Sequence, residues 1–107
     1  MAFDKKTEFG KRKQLLANYA KAISHPARIA ILRQLAKQVS CNCQEIVNEM
    51  PLSQSTVSQH LKELKNAGLI EGTIDGPKSC YRLNKAQIKD FKYEITRLFS
   101  TLNPKNT

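Results

Sequence analysis

Tryptophan is absent from this chain of 107 residues, and aromatic residues make up only 7% of it. Proteins that read unpaired RNA bases stack them on exposed rings, and this chain has few rings to offer. No apolar run approaches the roughly 20 residues of a membrane-spanning helix. The first residues lack an apolar stretch followed by a cleavage site, so no secretory leader is expected. Three cysteines, an odd number, do not make a disulfide framework. Internal repeats and low-complexity tracts are missing as well. So are a Gly-rich phosphate loop, Ser-x-x-Lys, and Gly-x-Ser-x-Gly in a strand-turn context. Histidine occurs twice, at His25 and His60, and neither is tied to a cysteine as a nucleophile pair would be. The sequence therefore predicts a protein that is not an enzyme.

Acidic residues are also scarce. Lys plus Arg number 18 against 9 Asp plus Glu, a formal charge of +9. A small domain this basic expects an anionic partner. A polybasic protein lying on a membrane is the competing reading, but no lipidation signal supports it. The expectation is a single cytoplasmic domain over residues 1–107 with no membrane partner. A chain this short gains from dimerisation, because small domains bury a smaller share of their surface.

The stretch from Leu52 to Leu69 organises what is present. Ser53 suits an N-cap, since its hydroxyl can accept from an unpaired amide of the first turn. Gly68 suits a stop, because it adopts the left-handed conformation past the last turn. Between them Val57, Leu61 and Leu64 recur at helical spacing as one apolar face. The other face carries Gln54, Ser55, Ser58, Gln59 and Lys62. Taken alone, this is an ordinary amphipathic helix with a polar outside. Its amides and hydroxyls would equally suit base edges in a major groove, with the lysine reaching phosphate or guanine.

The neighbours of this helix decide between the two readings. Upstream, Gln44 to Met50 reads as a short helix with Ile46, Val47 and Met50 apolar. Pro51-Leu52 then turns into Ser53, which gives a helix-turn-helix over residues 44–67. Downstream, Leu69 to Ile74 and Cys80 to Leu83 flank Asp75-Gly76-Pro77-Lys78, a hairpin with a basic tip. Residues 69–83 thus predict a wing.

With these pieces in order, the chain resembles the ArsR/SmtB transcriptional repressors over about residues 15–100. The matching segments are Ser24-His25-Pro26-Ala27-Arg28-Ile29-Ala30-Ile31-Leu32, the run from Leu52 to Leu61, Ala67-Gly68-Leu69-Ile70, and Tyr81-Arg82-Leu83. Each segment alone is unspecific; their order and spacing carry the resemblance. It implies a mostly α fold with a small β-hairpin, a winged helix-turn-helix with helical dimerisation elements at both ends. It also implies a homodimeric repressor that binds double-stranded DNA at a partly palindromic operator and leaves it when an effector binds. The expected DNA contacts are Ser53, Gln54, Ser55, Thr56, Ser58, Gln59 and Lys62 on the reading helix, with Lys78 at the wing tip. The resemblance makes Arg28 a structural ion-pairing residue.

Residues 1–7 read as a disordered basic lead, and Lys11-Arg12-Lys13 as a solvated helix face. A first helix, within residues 8–24, places Leu16, Tyr19, Ala20 and Ile23 on one face. Pro26 suits the first turn of a second helix, with Ile29, Leu32, Leu35 and Ala36 inward. Residues Val39 to Cys43 read as a connection. Asn84 caps a last helix over residues 85–102, ended by Pro104. There Ile88, Phe91, Ile95, Leu98 and Leu102 alternate steps of three and four, a narrow seam of the kind that pairs helices. With Leu16 and Tyr19 they form the expected dimer interface across a two-fold axis.

His60 lies one turn from Val57 and Leu64, near the buried edge, and reads as a structural histidine. The zinc sensors of the resembling family use acidic and histidine ligands on the last helix, which here has no histidine. Cys41-Asn42-Cys43 is similar to the Cys-x-Cys pair with which some members hold soft ions. In an extended segment both thiols would point to one side. The pair sits one residue earlier than the family's, Val47 stands where a third cysteine falls, and Cys80 is placed away in the wing. A disulfide between Cys41 and Cys43 would be strained. Three readings stay open: a soft metal or metalloid ion as effector, thiol redox or persulfide sensing, or no sensing at all. A winged-helix module that binds proteins instead of DNA is the alternative from another class; it should expose apolar or acidic residues on its reading face.

Overall fold

Gly10, with a positive φ of 86°, leads directly into α1 (Lys11–Ala22). The computed structural model describes residues 9–38, 41–73 and 80–103. The lead at residues 1–7, Lys78 at the wing tip and Pro104 lie outside the described residues. The inward face of α1 runs through Leu15, Tyr19, Ala22 and Ile23. This face is rotated from the expected one: Leu15 and not Leu16 packs on the core, and Ala20 is exposed. Tyr19 is fully buried within its own protomer, so it does not line a surface for a second copy. Its ring stacks on Phe91 at 5.0 Å, and its hydroxyl meets Asp90 at 2.9 Å and the side-chain carbonyl of Gln87.

Pro26 occupies the first turn of α2 (Pro26–Lys37), where its missing N–H costs nothing. His25 caps this helix, Nδ1 accepting from the amide of Ala27 at 3.0 Å. Ile31 and Leu35 are buried and Leu32 half-buried, whereas Ile29 is 43% exposed and Ala36 faces solvent. Adjacent apolar residues leave a helix's rotation open in sequence; the packing of α2 selects Ile31 over Ile29.

The expected connection after α2 contains a strand. β1 (Cys41–Asn42) leads into α3 (Cys43–Asn48) through a capping box. Asn42 Oδ1 accepts from the amide of Glu45 at 2.8 Å, and Glu45 Oε1 accepts from the amide of Asn42 at 3.2 Å. This reciprocal pair satisfies two donors at the start of a helix too short to be stable alone. Ile46 is buried, and Val47, Met50 and Leu52 pack against the same core.

Ser53 caps α4 (Gln54–Asn66), its hydroxyl accepting from Thr56 N at 3.3 Å. Gly68, with φ 82°, follows its last turn. Val57, Leu61 and Leu64 are each 1% exposed or less. Each contributes roughly 1.5–3 kcal/mol by leaving water, which makes α4 the central support of the core. β2 (Ile70–Thr73) pairs antiparallel with β3 (Cys80–Leu83), and β1 adds on the far side in the order β1-β3-β2. Gly72 is opposite Tyr81; a Cβ there would meet Cys80 O and the Tyr81 ring at 2.8 Å, so the close approach of the strands requires glycine. Ile70, Tyr81 and Leu83 pack into the core, while Glu71 and Arg82 pair at 3.0 Å on the outer side.

Asn84 caps α5 (Lys85–Leu102), accepting from Gln87 N at 3.3 Å. The predicted seam divides along this helix. Ile88 and Phe91 pack on the core of their own protomer and Ile95 is half-buried. Leu98, Phe99 and Leu102 are 38%, 63% and 60% exposed. The N-terminal half of the seam is thus intramolecular, and the apolar surface left open lies beyond Ile95. Arg12 ties α1 to α5: it reaches Asp90 at 2.7 Å and Glu94, which is buried, with Nε at 2.8 Å. Of the basic run, then, Arg12 is not merely solvated.

Candidate nucleic-acid interface

The outward face of α4 consists of Gln54, Ser55, Thr56, Ser58, Gln59, Lys62, Lys65 and Asn66, every one exposed. It carries no apolar and no acidic residue; the one carboxylate of α4, Glu63, is half-buried at its edge. The seven reading-helix residues expected from sequence therefore lie together, with Ser53 at the helix start. They are not equally free. Ser53 Oγ lies 2.9 Å from Thr56 Oγ1 and 3.2 Å from Ser55 Oγ, so these hydroxyls serve the helix start first. A helix N-terminus of this kind also directs amides toward a phosphate. Gln59 donates to Glu63 Oε1 at a long 3.3 Å. The side chains of Gln54 and Lys62 make no hydrogen bond or ion pair with another described residue. A surface of amides, hydroxyls and lysines can read base edges in a major groove and contact phosphate.

α4 is held from behind by α3 and α2. Ser58, on its polar face, is 3.5 Å from the thiol of Cys43, the first residue of α3. The geometry differs here from an extended Cys-x-Cys. The strand ends at Asn42, and Cys43 has turned into the helix. Cys80 is nearer than its place in the wing implied, because β3 pairs Cys80 with Asn42. Cys43 and Cys80 are free, half-buried thiols. Among the described residues no three His, Cys, Asp or Glu side chains converge as a metal site. On α5, Asp90 and Glu94 are held by the Arg12 guanidinium, so those carboxylates do not fit a zinc set.

The residues least visible in sequence lie behind α4. Arg28 of α2 donates from Nε to His60 Nδ1 at 3.1 Å and from Nη1 to the carbonyl of Ala22 at 3.3 Å. Among the described residues no carboxylate pairs with it, which corrects the ion-pair role that the resemblance implied. His60 is 7% exposed, and its ring centroid lies 4.4 Å from that of His25. Burial holds the His60 imidazole below its ordinary pKa, and the nearby His25 and Arg28 add to this. The structural role expected for His60 stands, with partners that the sequence did not reveal.

Residues 25–71 match the model of the bacterial regulatory protein, arsR family. The chain is 43% identical over 63 residues to the HTH-type transcriptional repressor SmtB of Mycobacterium tuberculosis. That match covers 59% of this chain and 46% of SmtB, less than half the relative's length. It is 33% identical over 75 residues to the arsenical resistance operon repressor of Staphylococcus aureus, covering 70% of this chain and 71% of that one. The fold is similar to the solution structure of a homodimeric winged helix-turn-helix DNA-binding domain from Mycobacterium bovis. The TM-score is 0.67 at 21% identity, covering 100% of this chain and 94% of the other.

Proposed function

The chain belongs to the ArsR family of bacterial regulatory proteins, and on that premise we propose that it is a homodimeric, sequence-specific repressor of transcription. Its relatives are regulators, and the chain is a DNA-binding regulator and not an enzyme. The observation that carries the reading is the outer face of α4, polar and lysine-bearing with no apolar or acidic residue. The same feature disfavours a protein-docking module. Each protomer sets α4 in a major groove, and Lys78 at the wing tip contacts the adjacent backbone or minor groove. The exposed end of α5, at Leu98 and Leu102, pairs with a second copy. Two-fold pairing of the reading helices calls for a partly palindromic operator. Binding to operator DNA places its action in the cytoplasm. Among the described residues no helix is long and apolar enough to cross a membrane.

Effector response is assigned to Cys41 and Cys43, through a soft metal or metalloid ion or through oxidation of the thiols. What supports this is position: the Cys43 thiol touches Ser58 on the reading face. A change at that thiol has a direct path to the DNA-contacting helix. Two thiols leave a soft ion short of donors, so a further ligand is required.

Selection from a random pool of duplexes tests the core of the reading. The expected product is one enriched site with two half-sites about 10–10.5 base pairs apart, or a multiple of that spacing. A pool that enriches nothing, or a protein that holds the selected site no tighter than random DNA, would overturn it.

A further inference from the structure

Arg28 joins three helices at one point. Its guanidinium reaches the carbonyl of Ala22 at the end of α1, projects from the first turn of α2, and donates to His60 in the middle of α4. Beside it His25 begins α2 and lies ring to ring with His60. In both histidines Nδ1 is an acceptor, of the Ala27 amide in His25 and of Arg28 Nε in His60. A neutral imidazole has one acceptor nitrogen; an imidazolium has two donors and none. Protonating either ring therefore sets N–H against N–H and removes a bond that positions a helix.

We propose that His25, Arg28 and His60 form an acid-sensitive latch that holds the reading helix on the α1–α2 scaffold, so that mild acidification lowers operator affinity. The proposal rests on the reading that α4 contacts DNA. The charged groups on α4 and on the elements packed against it favour the response. From α2 and its cap come Arg28 and His25, both basic side chains. From α4, Glu63 is engaged by Gln59. From α3 and β2, Glu45 and Glu71 are engaged by Asn42 and Arg82. No carboxylate among the described residues bonds to His60 to favour its charged form. Charging His60 breaks the link to Arg28 and places a second positive charge beside its guanidinium. α4 then loses its hydrogen bond to α2, and its angle to the scaffold sets the spacing of two reading heads.

The sign of the effect makes it distinctive. Added positive charge on a DNA-binding protein ordinarily raises affinity for a polyanion. Here affinity for the operator falls as pH drops from 7.5 to 5.5, by about fivefold or more, the scale of an ordinary coupling between sites. His60→Asn retains an acceptor near the position of Nδ1 and cannot titrate, so it binds operator at pH 7.5 and loses the pH dependence. His60→Ala binds poorly at both values. Nitrogen NMR of the wild-type protein gives a readout without DNA: at pH 7.5 His60 carries its proton on Nε2, and on acidification the Arg28 Nε resonance shifts with the His60 titration. Wild-type affinity that stays level or rises in acid would overturn the latch, as would a His60→Asn profile parallel to wild type. An Arg28 resonance indifferent to the His60 titration would overturn it even if the variants did not fold. Absence of operator binding at every pH would instead count against the DNA-reading assignment.

Discussion

Arg12 and Glu94, 82 residues apart in sequence, are joined by the guanidinium of α1 and a carboxylate of α5 that is only 6% exposed, and Asp90 shares the same guanidinium. The Tyr19 hydroxyl completes the group. Removing Arg12 leaves Glu94 buried without its cation, a costlier state than removal of both partners. Arg12→Ala is expected to lower the unfolding temperature by several degrees, and Arg12→Ala with Glu94→Gln to recover part of the loss. Hydrogen bonds from Arg12 and then Tyr19 hold Asp90 below the ordinary carboxylate range. A depressed folded-state pKa contributes stability that is present above the unfolded value and lost as pH falls through the folded one. Acid unfolding should therefore steepen below the ordinary Asp range, and Asp90→Asn should blunt it. At the other end, burial first and the bond to Asp90 second push Tyr19 up to about 12. Its contribution is present below the ordinary tyrosine value and is lost as pH rises through about 12. Ultraviolet titration of the phenols, compared between wild type and Tyr19→Phe, measures this directly.

Gln59 stands mid-helix on the outer face of α4, and among the described residues its side chain makes one hydrogen bond, a long one to Glu63 that DNA can replace. Gln59→Ala is expected to cost about 1–3 kcal/mol on the selected operator and much less on random duplex. Lys62→Ala should weaken both alike and reduce the salt slope by about one. Equal loss on both DNAs for Gln59→Ala would move base reading to other residues.

Dimerisation is expected to depend on the open end of α5. Leu98→Glu places a charge where an apolar partner is expected, at a position already 38% exposed in the protomer. The fold should survive, sedimentation should report monomer, and operator affinity should fall steeply. Ile88→Glu, by contrast, should unfold the protomer, because Ile88 packs on its own core. A Leu98→Glu protein that sediments as a dimer would place the interface elsewhere.

Ser53, Gly68 and the Val57-Leu61-Leu64 face determine α4 through neighbours within one or two turns, so its limits and inward side are legible in sequence. β1 is not: two residues carry no period, and the strand exists only because β3 pairs with it across the intervening α3, α4 and β2. Helix rotation is ambiguous where apolar residues adjoin, at Leu15-Leu16 and around Ile29 to Leu32, since only the partner helix decides which turn inward. The partner of Arg28 is hidden for the same reason. Nothing local marks an imidazole 32 residues away as its acceptor.

For the cysteines, the expected result is release of operator DNA by arsenite or cadmium, with a weaker effect of zinc. Cys41→Ser with Cys43→Ser should keep DNA binding and lose the response. Cys80→Ser serves as an informative control, because β3 sets that residue opposite Asn42. A response that vanishes with Cys80→Ser makes the wing strand a donor. One that persists in the double variant removes Cys41 and Cys43 from sensing. Cyclic oxidation and reduction of the ion-free protein separates the redox route from the ion route.

β3 lies in the middle of its sheet, with the wing strand β2 on one edge and the two-residue β1 on the other. β1 runs without a break into α3, and α3 packs on α4. The wing and the reading helix are thus two arms of one lever whose fulcrum is β3. A pull on β1 would reach both arms at once, so on the proposed reading the grips of helix and wing on DNA are expected to loosen together.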